Sequence, residues 1–129
     1  MCRDSNQDTP LQLAARNGHT DVVKFLTLEM HCDPMCGDSE QNTSLHLAAW
    51  NGHTDVKFLT LEMHCDPMCR DIEDDTPLHV AAHDGHIDVV KFLTLELHCD
   101  PMCRNSNQKT PLHLASQNGH TDVVKFLTQ

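Results

Sequence analysis

A single segment repeats four times along this chain, and no other feature limits the fold so tightly. Copies start at Thr9, Thr43, Thr76 and Thr110, and by subtraction the starts lie 34, 33 and 34 residues apart. From Thr43 onward nearly every residue has a counterpart one period away. Self-similarity at this period marks a stacked array in which each unit buries its apolar face only against its neighbours. Such a chain needs no central core, so 129 residues suffice for one domain.

The third copy predicts the unit. Thr76 caps a helix whose first residue is Pro77, the one helical position where a missing N–H costs nothing. Leu78, Val80, Ala81 and Ala82 form its apolar stripe, small enough to let a neighbour approach closely. Gly85 ends it as a left-handed cap. His86, Ile87 and Asp88 lead into a second helix. Its apolar residues Val89, Val90, Phe92, Leu93, Leu95 and Leu97 exceed one face, which predicts burial on two sides. Pro101 stops the helix, and the polar stretch up to Lys109 reads as a protruding hairpin-like finger.

Thr-Pro-Leu-His-Leu-Ala, then Asn-Gly-His, Asp-Val-Val and Cys-Asp-Pro, closely resembles the ankyrin repeat, whose signature is the first tetrapeptide. The resemblance covers essentially the whole chain. It implies an all-α solenoid of stacked helix-turn-helix units with hairpin-like loops. Repeats would span 9–42, 43–75, 76–109 and 110–129, with 1–8 a partial finger. It also implies a concave groove that binds other proteins.

Three departures from that pattern stand out. Most copies carry one extra residue, near Leu28-Glu29-Met30-His31 and its counterparts. His31, His64 and His98 stand where the family usually has Gly; left-handed, each costs roughly 1 kcal/mol, unless a longer helix end or a single-turn bulge relieves it. The fingers carry Gln7, Gln41, Asp74 and Gln108 where Gly is usual. Copy two has also lost a Val, reading Asp55-Val56-Lys57-Phe58 against Asp21-Val22-Val23-Lys24-Phe25. A deletion turns everything on one side by about 100° around a helix. We expect Lys57 to Met63 to keep the register of its counterparts, with the turn at Asn51–Asp55 shortened. The chain starts mid-finger and stops inside a second helix, so it reads as a natural or engineered piece of a longer array. End-to-end self-association through uncapped ends is expected.

His-Cys-Asp-Pro-Met-Cys occurs at His31–Cys36, His64–Cys69 and His98–Cys103. Imidazole and thiolate are zinc's preferred ligands, so a metal-binding repeat protein is one alternative. Packing is the preferred reading, because Cys2, Cys32, Cys36, Cys65, Cys69, Cys99 and Cys103 fall where the family carries small buried residues. Stacked units about 10 Å apart are also too distant for disulfides between them. Ten of the eleven His recur with the period. His46, His79 and His113, and the set His19, His53, His86 and His120, are therefore read as scaffold, and the resemblance implies that they hold backbone and Thr groups by hydrogen bonds. Gln12 replaces the first His and keeps part of its bonding. No phosphate loop, nucleophile motif or paired carboxylate outside turns supports an enzyme, and no metal or other cofactor is predicted.

Where copies match, residues serve the scaffold; where they differ, they are free to serve a partner. The column Arg16, Trp50, His83, Gln117 differs at each step, and so do the fingers. Finger charges over residues 3–8, 37–42, 70–75 and 104–109 are −1, −2, −3 and +2. We expect Trp50, Ile72 and His83 to lie together in the groove, rimmed by Glu73, Asp74 and Asp75, with Arg16 and Gln117 flanking. Net charge is −10 with His neutral, which disfavours nucleic acid and anionic membranes and suits a basic or mixed-charge protein or peptide. Seven Cys without an export signal point to a cytoplasmic setting. A purely structural spacer is the remaining alternative.

Overall fold

The computed structural model describes residues 8–51 and 55–129. The first finger with Cys2 and Gln7, His53, and the shortened turn expected at Asn51–Asp55 (which needs Gly52 to Thr54) fall outside the described residues.

The four first helices are α1 (Pro10–Arg16), α3 (Ser44–Trp50), α5 (Pro77–His83) and α7 (Pro111–Gln117). The second helices are α2 (Thr20–Lys24), α4 (Asp55–Lys57), α6 (Ile87–Lys91) and α8 (Thr121–Leu127). Each first helix packs against its own second helix and against the next first helix. Leu11, Leu45, Leu78, Ala15, Ala49, Ala82 and Ala115 are fully buried, so the core runs along the array. No strand occurs among the described residues.

Thr caps repeat as the sequence predicts. The side chains of Thr9, Thr43, Thr76 and Thr110 accept from the backbone N–H three residues on, closing capping boxes. Gly18, Gly85 and Gly119 end the first helices at φ 73°, 75° and 74°. The fingers close on a side chain as well as backbone. Asp38 Oδ1 accepts from Glu40 N and Asn42 N at 2.9 Å each, and Asp71 and Asn105 repeat the device. Gln41, Asp74 and Gln108 take φ 63°, 59° and 63°, the left-handed position where Gly is usual.

The extra residue per unit is absorbed in a π-helical turn. Second helices one to three run on into Phe25–Glu29, Phe58–Glu62 and Phe92–Glu96, where bonds skip to the fifth residue. Met30 N, for instance, donates to the Phe25 carbonyl at 3.3 Å. Thr27, Thr60 and Thr94 hydroxyls donate to the Val23, Val56 and Val90 carbonyls at 2.8, 2.7 and 2.8 Å, a bond that Thr128 repeats to Val124 in α8, which has no π-turn. The bulge does not relieve the histidines. His31, His64 and His98 remain left-handed at φ 55°, 56° and 57°, while Cys32, Cys65 and Cys99 N close back on Leu26, Leu59 and Leu93 carbonyls at 2.9 Å.

Two corrections to the sequence reading follow from the bulge and the deletion. Leu95 is not buried between units; the π-turn swings it to solvent together with Leu28 and Leu61. Lys57 to Met63 does keep register: Lys57 Nζ lies 5.6 Å from the Phe92 ring centroid, as Lys24 lies 5.5 Å over Phe58 and Lys91 5.9 Å over Phe126. The register shift therefore falls upstream. Asp55 takes the column of Val89 and Val123, and it is 0 % exposed.

Candidate protein-binding groove

The groove is built from histidine cross-ties between units. His46 Nε2 donates to the Asp75 carbonyl at 2.8 Å, and His79 Nε2 to the Lys109 carbonyl at 2.9 Å. The other ring nitrogen accepts from the capping Thr: Thr43 N at 3.3 Å, Thr76 N at 3.2 Å. Both rings are thus neutral and of fixed tautomer, and burial holds both below the usual imidazole pKa. Gln12 reproduces the whole set, accepting from Thr9 N at 2.9 Å and donating to the Cys36 carbonyl at 2.7 Å. A second series ties the opposite end of the first helices. His86 Nε2 donates to the Trp50 carbonyl at 2.8 Å and His120 Nε2 to the His83 carbonyl at 2.9 Å.

The finger tips are chained in the same way. Ile72 N donates to the Glu40 carbonyl at 2.8 Å and Ser106 N to the Glu73 carbonyl at 2.9 Å. Arg70 Nη1 bridges the Asp74 and Arg104 carbonyls at 2.7 and 2.8 Å. Fingers and first helices accordingly form a continuous wall rather than separate loops.

Between them lies an open cavity of about 560 Å³. Trp50, His83 and Gln117 of the varying column line it, together with Glu73 and Asp75. Trp50 is 49 % exposed. Glu40 and Asp71 add carboxylates, and Lys109, whose Nζ donates to Gln117 Oε1 at 3.1 Å, is the cation among the lining residues. His83 Nδ1 lies 2.9 Å from Asp84 Oδ1.

Three expected residues stand outside the cavity lining. Ile72 is 57 % exposed at the outer fingertip, not beside Trp50 and His83 in the hollow. Asp74 is the left-handed residue of that tip. Arg16 is held at the first-unit end by Asp8 at 3.3 Å and Asp38 at 4.0 Å. Sequence reading missed Asn42, Val80, Asn105, Asn107, Leu114 and Asn118, which also line the cavity. Finger charge and column variation could not flag them, because they are neutral or shared between copies.

The thiols lie inside the scaffold. Cys65, Cys99 and Cys103 are buried and the other described Cys half-buried. Cys69 Sγ lies 3.6 Å from Thr43 Oγ1 and 3.8 Å from His46 Nδ1; Cys103 repeats this against Thr76 and His79. Burial pushes the Cys65 thiol up to about 12 and the Cys69 and Cys99 thiols up to about 11. Among the described residues no three His, Cys, Asp or Glu side chains converge on a metal-sized site. No helix there is long and apolar enough to cross a membrane.

A family model for ankyrin repeats in three copies matches residues 1–71 and again 56–129. The chain belongs to the ankyrin repeat family. No curated protein matches it. Ankyrin repeats generally serve as protein-binding modules and are typically non-enzymatic. In this ankyrin array Trp50 and His83 line the cavity between first helices and fingers.

Proposed function

We propose that this ankyrin array binds a basic or mixed-charge peptide segment of another protein in its concave groove. The observation that carries the reading is the cavity itself: a half-exposed indole, Trp50, beside Glu40, Asp71, Glu73 and Asp75, with Lys109 the cation among its lining residues. An aromatic anchor rimmed by unlike polar groups is the usual make-up of a binding hot spot. His83 and Gln117 extend the floor; Ile72, Asp74 and Arg16 offer secondary contacts at the fingertips and first-unit end. The net charge of −10 adds long-range attraction for a basic partner and repels nucleic acid and anionic lipid. Buried thiols at Cys65, Cys99 and Cys103 suit a reducing, cytoplasmic setting.

Trp50 is the chain's one Trp, so its fluorescence reports occupancy. Basic and acidic peptide pools titrated against the protein should separate, with only basic ones shifting the emission and losing affinity in high salt. Trp50→Ala should weaken capture of the best peptide by about thirtyfold, the scale of a 2 kcal/mol hot spot, with little change in Tm. Equal binding by the variant, or a Tm loss that matches the affinity loss, would make Trp50 a packing residue and sink the reading.

A further inference from the structure

The groove has two chemically opposite ends, and its hydrogen bonds fix which end is which. Fingers and first helices stack in chain order: Ile72 N donates to the Glu40 carbonyl, Ser106 N donates to the Glu73 carbonyl, and α5 packs between α3 and α7. One end of the cavity is therefore built by fingers 37–42 and 70–75 with α3 and α5, the other by finger 104–109 with α7. The first end holds every carboxylate of the lining, Glu40, Asp71, Glu73 and Asp75, around Trp50. Asn42 lines that end as well; it is 5 % exposed, and its Oδ1 has no hydrogen-bond partner among the described residues. Arg70, the cation of finger 70–75, lies outside the lining, with its Nη1 held by two carbonyls.

His83 joins the acceptors through an exchange at its neighbour. The other first helices end in Asn17, Asn51 and Asn118, whose Nδ2 donates to the carbonyl four residues back at 2.9, 3.2 and 3.0 Å. The third ends in Asp84, and a carboxylate cannot make that bond. Asp84 Oδ1 instead accepts from His83 Nδ1 at 2.9 Å. Nδ1 thus carries the proton, and Nε2 of the neutral ring is left as an acceptor. The fourth-unit end is the reverse. None of its lining residues is acidic. Lys109 Nζ donates to Gln117 Oε1 at 3.1 Å, which leaves Gln117 Nε2 as a second donor. Lys109 has no ion-pair partner among the described residues.

We infer that the groove takes an extended bipolar peptide segment: a lysine or arginine of the partner against Trp50, His83 and the carboxylates, and an aspartate or glutamate of the same segment against Lys109 and Gln117. This rests on the proposed groove and narrows its occupant, since a purely basic segment would set like charge against Lys109. The two ends lie one to two unit spacings apart, about 10–20 Å. An extended chain rises about 3.3 Å per residue, so the two charges stand about three to six residues apart in the partner.

Fluorescence anisotropy of dye-labelled, capped peptide pools tests this. One pool fixes lysines and, at that spacing, glutamates; a second replaces the glutamates by glutamine; neutral positions are randomised in both. The protein should bind the bipolar pool at least about fivefold more tightly than the basic one, the scale of one or two exposed ion pairs. The net charge of −10 works the other way, favouring the basic pool at long range, so it cannot produce that preference. Lys109→Glu should reverse the order and bind the basic pool more tightly than wild type does, a gain that an unfolded variant cannot give. Equal affinity of wild type for the two pools, a preference for the basic pool, or an unchanged order in Lys109→Glu overturns the bipolar segment, while loss of basic-pool binding in Trp50→Ala would still uphold the groove. Binding of neither pool, or Trp50→Ala binding both as wild type does, removes the groove and this inference with it.

Discussion

Asp55→Val should make the protein markedly more stable. The missing Val moves Asp55 into the column held by Val89 and Val123, where it is 0 % exposed and both carboxylate oxygens lack a hydrogen-bond partner among the described residues. An unsatisfied buried polar group costs about 1–3 kcal/mol, and a charged one more. Burying a Val there instead contributes about 1.5 kcal/mol. Against this stands about 0.5 kcal/mol of favourable interaction between an acidic first residue and the helix dipole, since Asp55 opens α4. The net gain is about 2–3 kcal/mol, or about 10 °C in Tm for a chain of this size. Urea unfolding followed by circular dichroism measures it. Asp55→Asn, which removes charge but leaves polar atoms unpaired, should recover only part of the gain. Asp88→Val changes the exposed counterpart in the third unit and should stay within about 0.5 kcal/mol of wild type. An Asp55→Val variant no more stable than wild type would refute the assigned register, or show that the carboxylate is satisfied in solution.

Other perturbations probe the scaffold. His98→Gly removes a side chain held at φ 57° and should stabilise by about 1 kcal/mol in urea unfolding. Gly85→Ala must adopt φ +75° and place its Cβ 2.5 Å from His120 Nδ1, whereas Gly119→Ala at φ +74° meets open space. Both should destabilise, Gly119→Ala by about 1 kcal/mol and Gly85→Ala by clearly more, as chemical denaturation will show. Stability should also have a pH plateau. His46 and His79 have folded pKa values below the unfolded 6.5, so the unfolded chain binds more protons below that pH and stability falls as pH drops through it. Cys65, Cys69 and Cys99 are raised to about 12, 11 and 11 from an ordinary 9.0, so stability falls again as pH rises above about 9 towards 11–12. Tm measured across pH 4 to 11 checks both limbs, and His79→Gln should blunt the acid limb.

The sequence displayed whatever all four copies share, and concealed what depends on a single insertion or deletion. Thr caps and Gly85 are local and periodic, so comparing copies was enough to find them, whereas the His cross-ties followed from the family resemblance. Gln12 was legible for the same reason, since an amide offers the same donor and acceptor faces as a neutral imidazole. Leu95 was not legible. Its type places it in the core, and only the choice between a longer α-helix and a π-turn decides which way it points. That choice depends on packing of Phe92 and Leu93 against neighbours, which no single repeat contains. Ile72 misled for a related reason: its finger curls so that its amide meets the Glu40 carbonyl, and its side chain stands at the tip. Trp50, on a rigid helix in a varying column, lines the cavity between first helices and fingers. The π-turn thus has two consequences at once. It keeps Phe58 and Phe92 buried between units despite the longer period, and it does so by exposing one leucine per unit on the back. A surface generated three times by the same backbone device is periodic by construction.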